Sequence, residues 1–406
     1  MRTTTSRMLG LLAVICLAQA CATVYASGDG GENRWRATLM HTPRPGKGCF
    51  TAMYPDIQWS RVACGKAPAT PLRPRRGGAT RATAGGTAAA VGDGTDFSAN
   101  VPGLAAEAVG SFDAVSGVTS ESGDGKANAY TLQLNTEFFP TVTCNSGDSG
   151  CVGWEQFVFL NYAPPSEGLL FIQYWLLGYG TCPNGWTSSD GFCYRNSATA
   201  LEISGQTIAT LGEIQLAGAA GTSTSDDTAF LMIGNVLYSL SGGNYFPDLG
   251  QHWQISEFNV FGPGNGSQAV FNPGATLTVR TQVDSGASNA PGCSEQGYTA
   301  ETNNLALVSA PQSSPPSAAP AIVFTESNAS GTAASCETLY AITSNDAPVP
   351  WWSTGALGAC LALCACVVLR RGSLRRARGP CARAVPCGTH APRCCACGPR
   401  DRAAPS

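Results

Sequence analysis

The sequence predicts an all-β protein folded as an antiparallel β-sandwich or jelly roll, and three observations support that prediction. Only 13% of the 406 residues are charged, whereas 48 are glycine and 26 are proline, which is typical of strands joined by turns. Runs of alternating apolar and polar residues recur between clusters of Gly, Pro, Asn and Ser. Patterns typical of long amphipathic helices are absent from the same region.

The strand-like runs lie between residues 129 and 283. The clearest example is YTLQLNTEFF at Tyr130–Phe139, in which apolar residues alternate with Thr, Gln and Asn. Because successive side chains of a strand point to opposite faces, one face packs in the core and the other is polar. The predicted strands are Ala129–Phe139, Gln156–Tyr162, Leu169–Tyr179, Ala229–Tyr238, Gln254–Phe261 and Ala275–Val283.

The amino terminus has the pattern expected of a secretion signal. Arg2 and Arg7 precede an apolar run at Met8–Ala20, and small residues follow it, which predicts a signal peptide over residues 1–26. The protein is therefore expected to be secreted by the general secretory route, with an extracellular or periplasmic domain.

The carboxyl terminus carries a second targeting pattern. Trp351–Leu369 contains no charged residue and is followed by an arginine cluster, which predicts a transmembrane segment over residues 350–369. The Pro-Val-Pro-Trp-Trp entry, the apolar span and the arginines together resemble the C-terminal sorting tails of Gram-negative surface proteins. Residues 370–406 are basic, Cys-rich and without periodicity, so they are interpreted as a disordered tail.

Between these ends, composition divides the chain into three parts. Residues 27–64 form a small unit that contains the first cysteine pair. Residues 65–94 hold almost no large apolar side chain, so we predict a disordered linker. Residues 95–345 form the sandwich domain.

Eight cysteines remain outside the signal, the span and the tail. A secreted chain meets an oxidising compartment, so disulfides are expected, although sequence alone leaves the connectivity open. The cysteines fall into four consecutive pairs, and we predict that Cys144–Cys151 and Cys182–Cys193 are bonded because these segments are short and turn-rich. The full set is Cys49, Cys64, Cys144, Cys151, Cys182, Cys193, Cys293 and Cys336.

Three predicted strands share an unusual polar face on which amides stand beside aromatic residues. Amides next to aromatic rings suit a concave ligand groove, since the amides can bond a ligand while the rings stack on it. The alternative is that these polar groups bond one another or the neighbouring backbone. The predicted groove residues are Gln133, Asn135, Gln173, Trp175, Glu257 and Asn259, and the residues predicted to enter the core are Leu132, Leu134, Phe258 and Val260.

Charge and histidine content exclude several function classes. A net charge of −3 offers no basic surface for nucleic acid. The three histidines are His41, His252 and His390, which argues against a histidine metal cluster and against a Ser-His-Asp triad. No metal and no cofactor are expected.

Two segments resemble the glutamic peptidases, or eqolisins. TLQLNTEFF is similar to the strand of that family that carries the catalytic Gln, and SEFNVFGPGNGSQAVFNPG is similar to the strand that carries the catalytic Glu. The resemblance implies a concanavalin-like sandwich of two bent antiparallel sheets. It places Gln133 on the catalytic Gln and Glu257 on an earlier Glu, whereas Phe261 occupies the position of the catalytic Glu.

We therefore expect a secreted, surface-anchored sandwich that binds a glycan or an extracellular peptide in its groove without catalysis. The first alternative is an acid hydrolase of glutamic-peptidase type that uses Gln133 with Glu257, or with Glu155 as the missing carboxylate. The second alternative is a structural surface protein with no groove ligand.

Overall fold

The computed structural model describes residues 29–76, 90–144, 150–162, 167–313, 320–329 and 334–336. The predicted signal peptide (1–26), membrane span (350–369) and tail (370–406) lie outside these ranges. Within them, no helix combines the length and the apolar character that a membrane crossing requires.

The described residues form strands far more than helices. One α-helix, α1, spans Asp29–Met40, and short 3-10 helices span Val142–Cys144, Ile208–Glu213 and Leu249–Gln251. The strands in the first half are β1 (Cys49–Met53), β2 (Ser60–Val62), β3 (Phe97–Asn100), β4 (Glu107–Ser116), β5 (Glu121–Gly123), β6 (Lys126–Ala127), β7 (Tyr130–Thr136), β8 (Val152–Asn161), β9 (Glu167–Leu177), β10 (Thr187–Ser189) and β11 (Phe192–Asn196). Those in the second half are β12 (Leu201–Ser204), β13 (Ile214–Ala219), β14 (Thr228–Ile233), β15 (Val236–Ser241), β16 (Ile255–Phe261), β17 (Gln268–Phe271), β18 (Thr276–Asp284), β19 (Gly292–Glu295), β20 (Thr302–Asn303), β21 (Ala306–Leu307), β22 (Gln312–Ser313) and β23 (Ala321–Ser327).

These strands make two large antiparallel sheets and one small sheet. The first sheet has the order β2-β1-β15-β14-β13-β4-β18-β23-β21, with β22 added beside β23. The second sheet has the order β10-β11-β9-β8-β7-β16-β3-β19, with β12 added beside β9. The small sheet, β20-β17-β5-β6, contains the parallel pair β17–β20. The prediction of an all-β antiparallel sandwich is confirmed.

The core lies between the two large sheets. Phe258 of the second sheet packs against Phe112 of the first, with ring centroids 5.3 Å apart. Gly110 gives this ring its space, because a Cβ at that position would overlap the Phe258 side chain. The residues predicted to enter the core are all fully buried: Leu132, Leu134, Phe258 and Val260.

Four disulfides join the eight cysteines in consecutive order. The predicted bonds Cys144–Cys151 and Cys182–Cys193 are both present, which confirms those predictions. The other two bonds are Cys49–Cys64 and Cys293–Cys336.

The amino-terminal unit differs from the prediction of a separate piece. Strand β1 pairs with β15 and so belongs to the first sheet. Helix α1, which the sequence analysis did not predict, packs Trp35 and Leu39 against residues of the same sheet, among them Phe230. Residues 29–64 are therefore part of the sandwich.

The predicted single strand Ala229–Tyr238 is instead a hairpin. Strands β14 and β15 pair with each other, and Ile233 lies opposite Val236. Gly234 and Asn235 form the two-residue turn, and Gly234 has a φ of 54°. A tight hairpin turn needs positive φ, which glycine adopts without steric cost, so the Gly-Asn pair was the missed signal.

Candidate functional site

The predicted polar residues lie on the outer face of the second sheet, away from the core. In the register of β7 with β16, Asn135 lies opposite Glu257, and Gln133 lies opposite Asn259. The neighbours of these residues in sequence enter the core, so strand alternation fixes which side each residue occupies. The sheet thus brings two amides of one strand beside an amide and a carboxyl of the next.

Gln133 bonds other uncharged side chains. Its amide nitrogen donates to Thr131 Oγ1 at 3.0 Å. Its carbonyl oxygen accepts from Gln156 Nε2 at 3.0 Å and from Asn135 Nδ2 at 3.5 Å. Gln133 therefore reaches Glu257 through Asn135 and has no direct carboxylate partner among the hydrogen bonds of the described residues.

Glu257 accepts hydrogen bonds from one side chain and from the backbone. Asn135 Nδ2 donates to Glu257 Oε2 at 2.9 Å, and the backbone N–H of Tyr298 donates to the same oxygen at 3.0 Å. Burial raises the pKa of the Glu257 carboxyl to about 7, against the opposing effect of these bonds. A carboxyl in this range exchanges its proton near neutral pH, as a general acid or base does.

Two further carboxyl groups lie near Glu257, and we call Asp96, Glu257 and Glu326 the acidic cluster. Asn259 Nδ2 donates to Glu326 Oε2 at 2.9 Å and to Asp96 Oδ2 at 3.2 Å, which joins the two carboxyls. Burial, together with the charges of Glu257 and Glu326, raises the pKa of Asp96 well above its ordinary value. Burial raises the pKa of Glu326 to about 8. Burial thus favours the protonated form of each of the three carboxyl groups.

Gln173 and Trp175 continue the polar face on β9. Trp175 Nε1 donates to Gln156 Oε1 at 2.9 Å and to Gln173 Oε1 at 3.0 Å. Gln173 Nε2 donates to Asn196 Oδ1 at 2.7 Å. The Gln156 side chain thus connects Trp175 to Gln133.

Residues 65–76 run over this face, and we call them the strap. Side chains of the sheet bond the strap backbone: Tyr194 Oη donates to the carbonyl of Ala69 at 2.9 Å, and Asn196 Nδ2 donates to the carbonyl of Pro68. Gln173 bonds both a carbonyl and an N–H group of the strap. Its Nε2 donates to the Thr70 carbonyl at 3.0 Å, and its Oε1 accepts from the Leu72 N–H at 2.7 Å.

The strap also forms hydrogen bonds with a second segment that covers this face, residues 296–301. The N–H of Arg73 donates to Glu301 Oε1 at 3.0 Å, and the N–H of Ala300 donates to the Arg73 carbonyl at 2.8 Å. The N–H of Arg75 donates to the Tyr298 carbonyl at 2.9 Å. The strap is thus held mainly through its peptide groups, with the Leu72 side chain fully buried.

Because of this cover, the predicted groove is closed. The fully buried residues include every predicted groove residue: Gln133, Asn135, Gln173, Trp175, Glu257 and Asn259. The linker prediction for residues 65–94 also needs correction, since residues 65–76 pack on the sheet. Its composition gave no sign of this because backbone hydrogen bonds, and not apolar side chains, hold most of the segment.

Two other predicted positions do not join the polar network. Glu155 has the parity of Phe157 and lies on the core side of the sheet, where burial and the Asp227 charge raise its pKa well above the ordinary value. It is thus on the opposite face from Gln133. Phe261 is fully buried, lies opposite Thr131, and offers no acid or base.

The sequence analysis missed Asp96, Glu301, Glu326 and Asn303, all of them buried. Glu326 lies on β23 in the run AIVFTES, and Asp96 immediately precedes β3. A carboxyl residue within or next to an apolar strand was the available signal. Within the described ranges, no group of three or more His, Cys, Asp and Glu side chains is arranged to hold a metal ion.

The chain was compared with protein-family models, with curated proteins and with solved structures. None of the three comparisons gave a match.

Proposed function

We propose that the protein is a secreted, surface-anchored β-sandwich whose second sheet binds an extended peptide on its outer face. The disulfides support an extracellular location, and the two large antiparallel sheets are compatible with a concanavalin-like fold. The observation that carries the proposal is the strap itself, an extended segment bonded by side chains of the sheet through its own peptide groups.

Backbone bonding of this kind suits a peptide. The bonds to the strap involve carbonyl and N–H groups that every peptide carries, and they are made by Tyr194, Asn196, Gln173 and Glu301. The site would therefore recognise an extended main chain, with one buried pocket for the Leu72 side chain. A glycan ligand has less support, because Trp154 and Trp175 are fully buried and present no free ring face for a sugar.

The strap would then act as an intramolecular competitor. A tethered segment competes at an effective concentration in roughly the millimolar range, so an external peptide binds weakly until the strap is loosened. Replacing Leu72 by Ala removes the buried anchor and leaves the backbone bonds in place. Burying a leucine contributes about 1.5–3 kcal/mol, which corresponds to at least about tenfold in strap occupancy.

The test uses a fluorescein-labelled peptide with the sequence of residues 66–76 and the full chain. We expect Leu72→Ala to bind this peptide at least about tenfold more tightly than the wild type, measured by fluorescence anisotropy. Leu104→Ala is the matched control, because Leu104 is an exposed leucine outside the strap. A folded Leu72→Ala protein that binds no more peptide than the control contradicts the proposal.

A second candidate function, acid hydrolysis, is favoured by one observation. Asn135 and Glu257 form an amide–carboxyl pair at 2.9 Å, and the carboxyl has a pKa of about 7. Such a pair can deliver a proton and hold an oxyanion, although the pair that the resemblance implied was centred on Gln133. Cleavage of a denatured protein at acid pH, lost in Glu257→Gln, distinguishes hydrolysis from binding alone.

A further inference from the structure

The strap ends in arginines, and each of them meets a partner. Arg73 Nη1 lies 2.7 Å from Asp190 Oδ2, and Arg76 Nη2 lies 2.7 Å from Asp190 Oδ1. Arg76 Nη2 also donates to the Asp190 carbonyl at 3.0 Å. The Arg75 guanidinium lies over the Phe138 ring, 5.9 Å from its centroid. One carboxylate thus binds two guanidinium groups, one on each oxygen.

Asp190 is fixed by its place in the fold. It is the first residue of the two-residue turn between β10 and β11, with Gly191 as the second, and both have positive φ. The Cys182–Cys193 disulfide anchors β11 next to this hairpin. Asp-Gly is a preferred sequence for a two-residue turn of this kind, so the turn places the Asp190 backbone independently of the strap.

The walls around this carboxylate are acidic. A cavity of 250 Å³ at the end of the strap is lined by Asp93 and Asp190, and the arginines that line it, Arg73 and Arg76, belong to the strap. Apart from the strap residues, the charged groups in this lining are the carboxylates of Asp93 and Asp190, and the rest are Phe192, Gly266 and Ala300. A ligand with guanidinium groups at the same positions would complement it.

We propose that the site selects extended peptides in which an apolar residue is followed by arginines in the spacing of Leu72, Arg73 and Arg76, and that Asp190 determines this preference. This inference rests on the proposed peptide-binding function. The buried pocket accepts the apolar residue, the backbone bonds hold the extended chain, and Asp190 distinguishes a basic ligand from a neutral one. The Asp190 side chain is partly exposed, so its effect is a modest selectivity.

The test compares two labelled peptides on the full-length Leu72→Ala chain. One has the sequence of residues 66–76, and the other has Gln in place of Arg73 and Arg76. We expect the arginine peptide to bind about three- to tenfold more tightly in low salt, and this preference to disappear in Asp190→Asn, because Asn suits the same turn position but carries no charge. Leu72→Val replaces Leu72→Ala if the alanine variant does not fold.

The outcomes separate the two proposals. If neither peptide binds the folded variant, the peptide-binding function fails together with the inference. If both bind equally well with Asp190 intact, or if Asp190→Asn keeps the preference, only the selectivity inference fails. Loss of the preference in Asp190→Asn, with the glutamine peptide still bound, supports it.

Discussion

The outer faces of the two large sheets differ in cover and in the polar groups they carry. On β18 of the first sheet, buried and partly exposed residues alternate, and Arg280 forms a two-point ion pair with Asp113 at 2.7 and 2.6 Å. On β7 of the second sheet, every residue is buried, and the outward side chains are Thr131, Gln133 and Asn135. The uncharged polar side chains of β7 thus lie where other parts of the chain cover the sheet.

The physical reason lies in the cost of burial. An exposed arginine remains hydrated, whereas a buried charged group is costly unless ion pairs and hydrogen bonds replace its hydration. Amides can donate and accept at once, so they bond one another, a carboxyl group and a passing backbone. The covered face uses all three options, as Gln156, Glu257 and the strap show.

The largest expected effect is a pH dependence from Glu326, which lies on β23 of the first sheet and bonds Asn259 of the covered face. Burial raises the pKa of Glu326 to about 8 in the folded chain, against the ordinary value of 4.5 that applies to the unfolded chain. Its stabilisation is thus fully present below about pH 4.5 and is lost as the pH rises through 8, because the unfolded chain releases this proton first. We expect the free energy of unfolding in urea to fall between pH 5 and pH 8, with Glu326 contributing up to about 4 kcal/mol.

Glu326→Gln checks the source of that loss. Glutamine keeps the size of the side chain and carries no titrating proton. The free energy of unfolding of the variant should therefore change less over the same pH range than that of the wild type. Superimposable profiles for the two proteins would contradict a buried Glu326 that keeps its proton near neutral pH.

A smaller effect is expected from one pair of matched substitutions. Gln173 bonds Leu72, Thr70, Trp175 and Asn196, so Gln173→Ala leaves several buried groups without partners and should cost about 2–3 kcal/mol. Gln282 lies on β18 of the first sheet and is partly exposed, so Gln282→Ala should cost less than about 0.5 kcal/mol. Equal costs in urea unfolding would show that the two faces are equally hydrated.

Much of the fold follows from the sequence because side-chain alternation is a local signal. It correctly predicted the core positions of Leu132, Leu134, Phe258 and Val260, and it placed Gln133 and Asn259 together on the opposite side. Two of the disulfides could also be predicted, since short turn-rich segments keep their ends close.

The position of the strap over the outer face of the second sheet could not be predicted in the same way. Strand parity says which face a residue occupies, but it does not say what lies above that face. The strap contains one large apolar side chain, Leu72, and its three prolines (68, 71 and 74) carry no N–H that needs a partner. Its contacts are formed by peptide groups, which every sequence has, so composition indicated a linker.

The most direct test of the central claim is hydrogen–deuterium exchange of the strap amides in the wild-type chain, with and without a saturating amount of the residue 66–76 peptide. If the outer face of the second sheet is a peptide site that the strap occupies, added peptide should speed exchange at Leu72, Arg73 and Arg75 while β7 and β16 stay protected. Strap amides that exchange only as fast as those of β7, with or without the peptide, would show that the strap is a permanent part of the fold and would contradict the account.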